Sequence, residues 1–270
     1  MIHVRAPATT ANLGPGFDCA GAALDLWNEL ELSEDGGEAD AEHLAVRAFA
    51  RLASPEGFGF TFTERIPRAR GLGSSAATIA LGLVAGAIAA GRATDSEELL
   101  ALGLDLEGHP DNLAAALTGG VCLTWAGHVV RIADDAPGVP IAIVPREQVE
   151  TQAARAALPE TIAHRDAAFT VARAAMLGAA FASGSAELFA AAADDRLHEP
   201  YRAPHAPVLA AVRERLPEGA LAATLSGSGP TVIVWARREA AAACVTELTE
   251  RFPRTDVLHL SISPIGASRL

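Results

Sequence analysis

The chain has 270 residues, half of them apolar, with 33 acidic residues against 21 basic ones and a formal net charge of −12. All 21 basic residues are arginine, which excludes a Walker A loop, a Schiff-base nucleophile and the strand lysine of protein kinases. The acidic balance argues against a nucleic-acid or anionic-membrane surface, because both need excess positive charge.

The length suits one large domain or two small ones with real cores. Cys19, Cys122 and Cys244 are far apart and odd in number, so neither a disulfide framework nor a zinc ribbon is expected. The opening Met1-Ile-His-Val-Arg-Ala-Pro7 has no basic segment followed by an apolar one, so no signal peptide is expected and a reducing cytoplasm is the default setting.

Along the chain, a strand-like run from residue 2 leads into a turn-rich stretch, Asn12-Leu-Gly-Pro-Gly-Phe-Asp18, and residues 24–32 alternate as a strand. An acidic loop over 33–40 precedes helical periodicity at 43–52 and an alternating strand at 58–63. Residues 71–91 carry no charge and contain Gly82 and Gly86 at GxxxG spacing. Without its Gly-Ser opening the segment is short for a bilayer, so a soluble helix buried all round is expected, its glycines allowing close packing. Residues 96–106 read as an amphipathic helix, 120–132 as paired strands around Gly127, and 134–140 as a linker rich in turn formers. Beyond it come a strand at 141–144, helices at 166–182, 185–197 and 206–216, strands at 221–225 and 231–236 around a Gly-rich turn, and a helix at 239–251. Strands and helices mix in both halves without a regular βαβ repeat.

The segment Pro67-Arg68-Ala69-Arg70-Gly71-Leu72-Gly73-Ser74-Ser75-Ala76-Ala77 joins a strand to a helix. Such a junction offers free backbone N–H groups and the positive end of the helix dipole to an anion. Gly71 and Gly73 permit close backbone approach, while Ser74 and Ser75 add hydroxyls for phosphate or a hard cation. A plain helix cap with a tight turn fits the local features equally well. The loop also matches G-x-G-x-x-A, but the acidic residues about twenty positions on, Asp95 and Glu97, open a helix and do not end a strand, which disfavours a dinucleotide oxidoreductase. No serine has glycine at both −2 and +2, which removes the α/β-hydrolase elbow. The late turn Ser226-Gly227-Ser228-Gly229-Pro230-Thr231 reads as a hairpin turn or as a backbone wall beside a ligand.

Three Gly-rich segments in this order, Ala6–Asp18, Gly71–Ala77 and Ser226–Thr231, resemble those of the GHMP small-molecule kinase superfamily. The segments Asn12–Asp18 and Glu107-Gly-His-Pro-Asp-Asn112, with Thr151–Pro159 and His198-Glu-Pro-Tyr-Arg202, are similar to its homoserine branch. His109-Pro-Asp111 also matches the J-domain tripeptide, but residues 99–107 carry no basic residue.

The resemblance implies an α+β fold of two domains: an N-terminal ribosomal-protein-S5-like domain at 1–135 that binds ATP and a C-terminal ferredoxin-like α+β domain at 136–270, with the active site in the cleft between them. It implies ATP-dependent phosphorylation of the side-chain hydroxyl of L-homoserine on the route to threonine, in a cytoplasmic homodimer. It assigns residues 67–77 to the triphosphate, and Ser75 and Glu107 to Mg2+. It places Arg155 and Arg202 on the substrate carboxylate, Asn12 and Asp18 at the ammonium, and Asn112 at the hydroxyl, with His109, Thr151 and Gly227 beside them. Asn112, Asp18, Ser75 and Glu107 form the implied catalytic set. With no lysine available and an amide at the hydroxyl, catalysis without a dedicated base is expected. The phosphate loop departs from the family pattern at Ala69 and Arg70, where further glycines are usual; Arg70 is read either as added charge on the triphosphate or as a solvent-facing side chain. His43, before Leu44, stands where some members have an asparagine near the adenine. Another alcohol kinase, with no use for both arginines, and a catalytically silent nucleotide-binding regulator are the alternatives.

Overall fold

The computed structural model describes residues 1–270 except Asp35, Glu38 and Thr94. The expected acidic loop at 33–40 therefore lies partly outside the described residues.

The first sheet starts from a long antiparallel pair, β1 (Ile2–Ala11) and β2 (Ala20–Ser33), running from Ile2↔Leu32 to Ala11↔Gly21 with an irregularity between Pro7 and Ala8. Inward-facing Val4, Ala6 and Ala8 on β1 and Leu30 and Leu32 on β2 are buried, as period-two alternation requires. Next come α1 (Leu44–Phe49), β3 (Gly59–Thr63), α2 (Ser74–Ala89), α3 (Ser96–Glu107), α4 (Pro110–Thr118), β4 (Val121–Trp125) and β5 (His128–Ala133). The second half holds β6 (Val139–Val144), α5 (Thr151–Ala156), α6 (His164–Ser183), α7 (Ala186–Ala192), α8 (Glu199–Arg202), α9 (Pro207–Glu214), β7 (Ala220–Leu225), β8 (Val232–Ala236), α10 (Ala241–Arg251), β9 (Asp256–His259) and β10 (Ser268–Arg269). The first sheet has the order β10-β1-β2-β4-β5 with β3 also on β2, and the second is β7-β8-β6-β9, antiparallel throughout. The fold is α+β.

Helix α2 is buried over nearly its whole length, in agreement with its uncharged sequence. A Cβ on Gly82 would stand 2.1 Å from the carbonyl oxygen of Ala45, so the GxxxG pair serves the approach of α1 to α2. Among the described residues no helix is long and apolar enough to cross a membrane.

Several elements differ from expectation. The helix expected at 185–197 ends at Ala192, because the buried Asp195 carboxylate takes the N–H groups of Leu197, His198 and Glu199 and starts a new turn, α8. Helix α4 was not anticipated, although Pro110 at its first position and Gly119 (φ 76°) after its end are ordinary helix boundaries. Helix α5 and strands β9 and β10 were also unforeseen. The last residues return to the first sheet: Leu24 bridges Ile262, and β10 pairs with β1 at Val4↔Arg269, so these residues beyond 136 belong with the first half.

Candidate active site

A cavity of about 480 Å³ lies where the β1–β2 turn, the start of α2, the α3–α4 junction, the segment before α5, α8 and the β7–β8 turn converge. Most of the residues singled out from the sequence line it. These are Asn12, Asp18, Arg68, Ala69, Arg70, Gly71, Gly73, Ser74, Ser75, Glu107, His109, Asn112, Thr151, Arg155, Arg202 and Gly227.

The bend at 69–75 is made of backbone held at close quarters. Gly71 has φ 81°, and a Cβ there would meet the Ser226 carbonyl oxygen at 2.3 Å. Gly73 has φ 64°, and a Cβ would fall 1.8 Å from Thr9 Oγ1. Both positions therefore exclude any side chain. The bend is tied to its surroundings by Thr9 N–H to Leu72 O (3.1 Å), Thr231 N–H to Arg70 O (3.2 Å) and Ser226 Oγ–H to Gly71 O (2.6 Å). Gly73 starts α2 with no side-chain cap, and the first N–H groups of a helix have no intrahelical partner.

Not all of 67–77 belongs to the cavity. Leu72, Ala76 and Ala77 are fully buried in the apolar core, and Pro67 does not line the space. Arg70 lines the cavity and is half-buried. Its Nε donates to Pro145 O (3.0 Å), Nη2 to Arg146 O (2.8 Å) and Nη1 to Arg68 O (2.9 Å), so the guanidinium fastens the loop to the end of β6. Arg68 pairs with Glu64 at the rim. His43 caps α1 by accepting from Ala45 N–H (3.3 Å) and stacks on Phe62 at 4.2 Å between ring centres. Burial pushes its ring below the ordinary histidine range.

At the start of α2, Ser75 Oγ–H donates to Glu107 Oε1 at 3.1 Å. Burial raises the Glu107 carboxyl to about 8, Asp111 adds to the rise, and the Ser75 hydrogen bond opposes it. Asp111, which the sequence reading passed over, is 3% exposed and lines the same cavity. Its carboxyl is pushed up to about 6 by burial, against the bond it accepts from Asn112 N–H (2.7 Å). Its only sequence signal is its place between His109 and Asn112. A serine hydroxyl beside a half-buried carboxyl suits a hard divalent cation, which would hold that carboxyl ionised. Among the described residues no three His, Cys, Asp or Glu side chains cluster as a metal cage.

On the opposite side, Arg155 holds Asp18 with two parallel bonds, Nη2–Oδ1 at 2.6 Å and Nη1–Oδ2 at 3.0 Å. The two groups expected at opposite ends of a substrate thus face each other directly. Asn12 (φ 68°) donates from Nδ2 to Gly227 O (3.0 Å) and accepts from Asp18 N–H (3.1 Å), so its amide orders two walls of the cavity. Asn112 Oδ1 accepts from the Thr9 hydroxyl at 2.7 Å, a fastening on β1 with no sequence signal of its own. Arg202, 2% exposed, donates from Nη1 to Gly227 O at 3.0 Å. The ring of Phe17 lies 5.4 Å from the Arg155 guanidinium and 5.3 Å from that of Arg202. The ring of His109 is pushed down by burial and by Arg155. Arg155, Arg202 and the Gly71–Ser75 bend therefore look into one space.

Comparison with known proteins gives a consistent result. A family profile described as "GHMP kinases N terminal domain" matches residues 41–120, and one described as "GHMP kinases C terminal" matches residues 177–254. The chain is 41% identical over 266 residues to a homoserine kinase of Streptomyces coelicolor, covering 89% of this chain and 86% of that one. It is 40% identical over 261 residues to a homoserine kinase of Streptomyces avermitilis, covering 87% and 85%. A crystal structure of homoserine kinase from Cytophaga hutchinsonii superposes with a TM-score of 0.87 at 28% identity, covering 100% of this chain and 97% of that one.

Proposed function

The chain belongs to the homoserine kinases of the GHMP superfamily, which use ATP to phosphorylate homoserine, and from that premise we propose how its cavity divides the work. The bend at 69–75 and the start of α2 receive the triphosphate on backbone N–H groups. Ser75 and Glu107 hold Mg2+, whose charge offsets that of the phosphates. Arg155 and Arg202 take the homoserine carboxylate, Asp18 takes the ammonium, and Asn112 meets the hydroxyl. The observation that carries this reading is that the Asp18–Arg155 pair and Arg202 share one cavity with the Ser75–Glu107 pair. A homodimer and a cytoplasmic setting complete it as the resemblance implies; the three free thiols suit a reducing compartment.

The reaction forms a bond from the homoserine oxygen to the γ-phosphorus and breaks the bond from that phosphorus to the bridging oxygen of ADP. The hydroxyl proton leaves late, onto the transferred phosphoryl group and then to solvent. No side chain is needed as a base. Asn112 is an amide, and both Asp18 oxygens are engaged by Arg155. Alignment and charge neutralisation lower the barrier of a loose transition state.

Asp18→Asn tests this reading. The homoserine KM rises on the order of 10- to 100-fold, while the kcat–pH profile keeps its shape. A fall of kcat to background with loss of a basic limb would make Asp18 the base and end the base-free reading.

A further inference from the structure

Arg202 has to present a buried guanidinium at one angle, and nothing in a four-residue helix ensures that by itself. Its immediate neighbour is His198, one turn earlier and 0% exposed. The Nε2 of His198 lies 2.8 Å from the Gly14 carbonyl oxygen, which can only accept a hydrogen bond, so Nε2 carries the proton. Nδ1 lies 3.3 Å from Arg202 Nη1, which can only donate, so Nδ1 is the bare acceptor. Both neighbours thus specify one neutral tautomer. A second proton on the ring would point at the guanidinium.

The ring and the short helix that carries it are both held in place. It stacks on Phe17 at 5.1 Å and 22°, and Phe17 is the same ring that lies against Arg155 and Arg202. Asp195 binds the backbone N–H of His198 at 2.7 Å and that of Glu199 at 2.9 Å, which fixes where α8 begins. Glu199 then ties α8 to Leu225 N–H (2.8 Å) and to Arg213 (2.6 Å), next to the turn whose Gly227 oxygen receives Arg202.

We infer that His198 is a positioning residue for the acceptor amino acid: its neutral imidazole aims Arg202 at the homoserine carboxylate by accepting from Nη1 while anchored on Gly14, with Asp195 setting the turn that presents both. This rests on the assignment of Arg202 to the carboxylate. It gives His198 an effect on homoserine and none on ATP.

Two substitutions separate the contacts. The amide of asparagine reaches about as far as Nδ1, and that of glutamine about as far as Nε2. His198→Asn thus keeps an acceptor for Arg202 and loses Gly14, whereas His198→Gln keeps the donor to Gly14 and loses the acceptor. Initial-rate kinetics with each substrate varied should give His198→Gln a homoserine KM about tenfold higher, with the ATP KM within about twofold. His198→Asn should return the homoserine KM to within about threefold of the parent. KM does not depend on the folded fraction, so partial loss of folded enzyme leaves this reading intact. Asp195→Asn should raise the homoserine KM selectively and by less. Equal changes in both KM values for His198→Gln, or a homoserine KM that His198→Asn does not restore, overturn the inference. Arg202→Gln distinguishes the two ways of failing. If it raises the homoserine KM while His198→Gln does not, only the positioning role falls. If Arg202→Gln leaves that KM unchanged, the carboxylate assignment falls and the inference with it.

Discussion

The two walls of the cavity are built from different materials. At residues 69–75 the wall is backbone, kept bare by Gly71 and Gly73 and fastened by Arg70 and Ser226 from behind. At Asp18, Arg155 and Arg202 it is charged side chain, and the segment that carries Arg202 also holds the buried Asp195 and Glu199. Backbone N–H groups recognise a polyanion without desolvating any ionised side chain, so that wall needs space more than it needs particular groups. A guanidinium fork selects one geometry of carboxylate but must be taken out of water and held still. That wall therefore carries a supporting shell and the pH-sensitive groups that come with it. The nucleotide wall should break by added volume, the acceptor wall by lost charge.

The sharpest way to break the contrast is Gly73→Ala. A methyl group 1.8 Å from Thr9 Oγ1 and 3.1 Å from Asn112 Oδ1 displaces the bend and the Asn112 amide together. Misalignments of about 100-fold on each substrate compound to a loss of kcat/KM on the order of 10⁴. Retention of near-parent activity would show that the bend does not depend on its bare backbone.

Next in size is Arg155→Ala, which leaves Asp18 and, on the proposed assignment, the substrate carboxylate without their partner. The expected loss is about 2–5 kcal/mol, on the order of 30- to 5,000-fold in kcat/KM for homoserine, with the ATP KM little changed. Unchanged homoserine kinetics would remove Arg155 from the site.

The smallest effect sharpens the contrast through pH. Glu199 is fully buried, and burial raises its carboxyl to about 7, with Arg213 opposing. Between about pH 4.3 and 7 the folded chain keeps a proton that the unfolded chain has released, so this group's contribution to stability falls as pH rises through that window. Below the window both states are protonated and above it both are ionised. Glu199→Gln removes the titration, so the Tm of the parent should fall relative to the variant between pH 5 and 7.5, measured in parallel melts. Parallel Tm–pH curves would contradict this.

Much of this was legible in the chain. The order of the three Gly-rich segments, with the Asn12–Asp18 and Glu107–Asn112 runs, identified the family and most of the cavity lining, because backbone that must approach an anion leaves glycine in place. Strands β2 and β3 followed from alternation and α2 from its uncharged length, whereas β9 and β10 gave no such signal. Less legible were features whose signal is a partner far along the chain. Arg70 looks the same in sequence whether it meets phosphate, water or a carbonyl; only the end of β6, 75 residues on, makes it a fastening. Asp195 reads as one more residue of a helix until its carboxylate is seen capping the next one. The strand that returns to β1, β10, is only Ser268–Arg269, polar and too short to show an alternation.

By itself, then, the sequence determined which chemistry is available here: arginine without lysine, bare backbone at two bends, and a hydroxyl and a carboxylate at fixed places. Only the tertiary structure decided which of those groups touch. Asp18 and Arg155 are 137 residues apart and Asn12 and Gly227 are 215 apart, yet each pair is in hydrogen-bond contact. Local patterns encode conformation over a few residues. Contacts at that separation are set by how two sheets and their helices share buried surface, and that is a property of the whole packed chain.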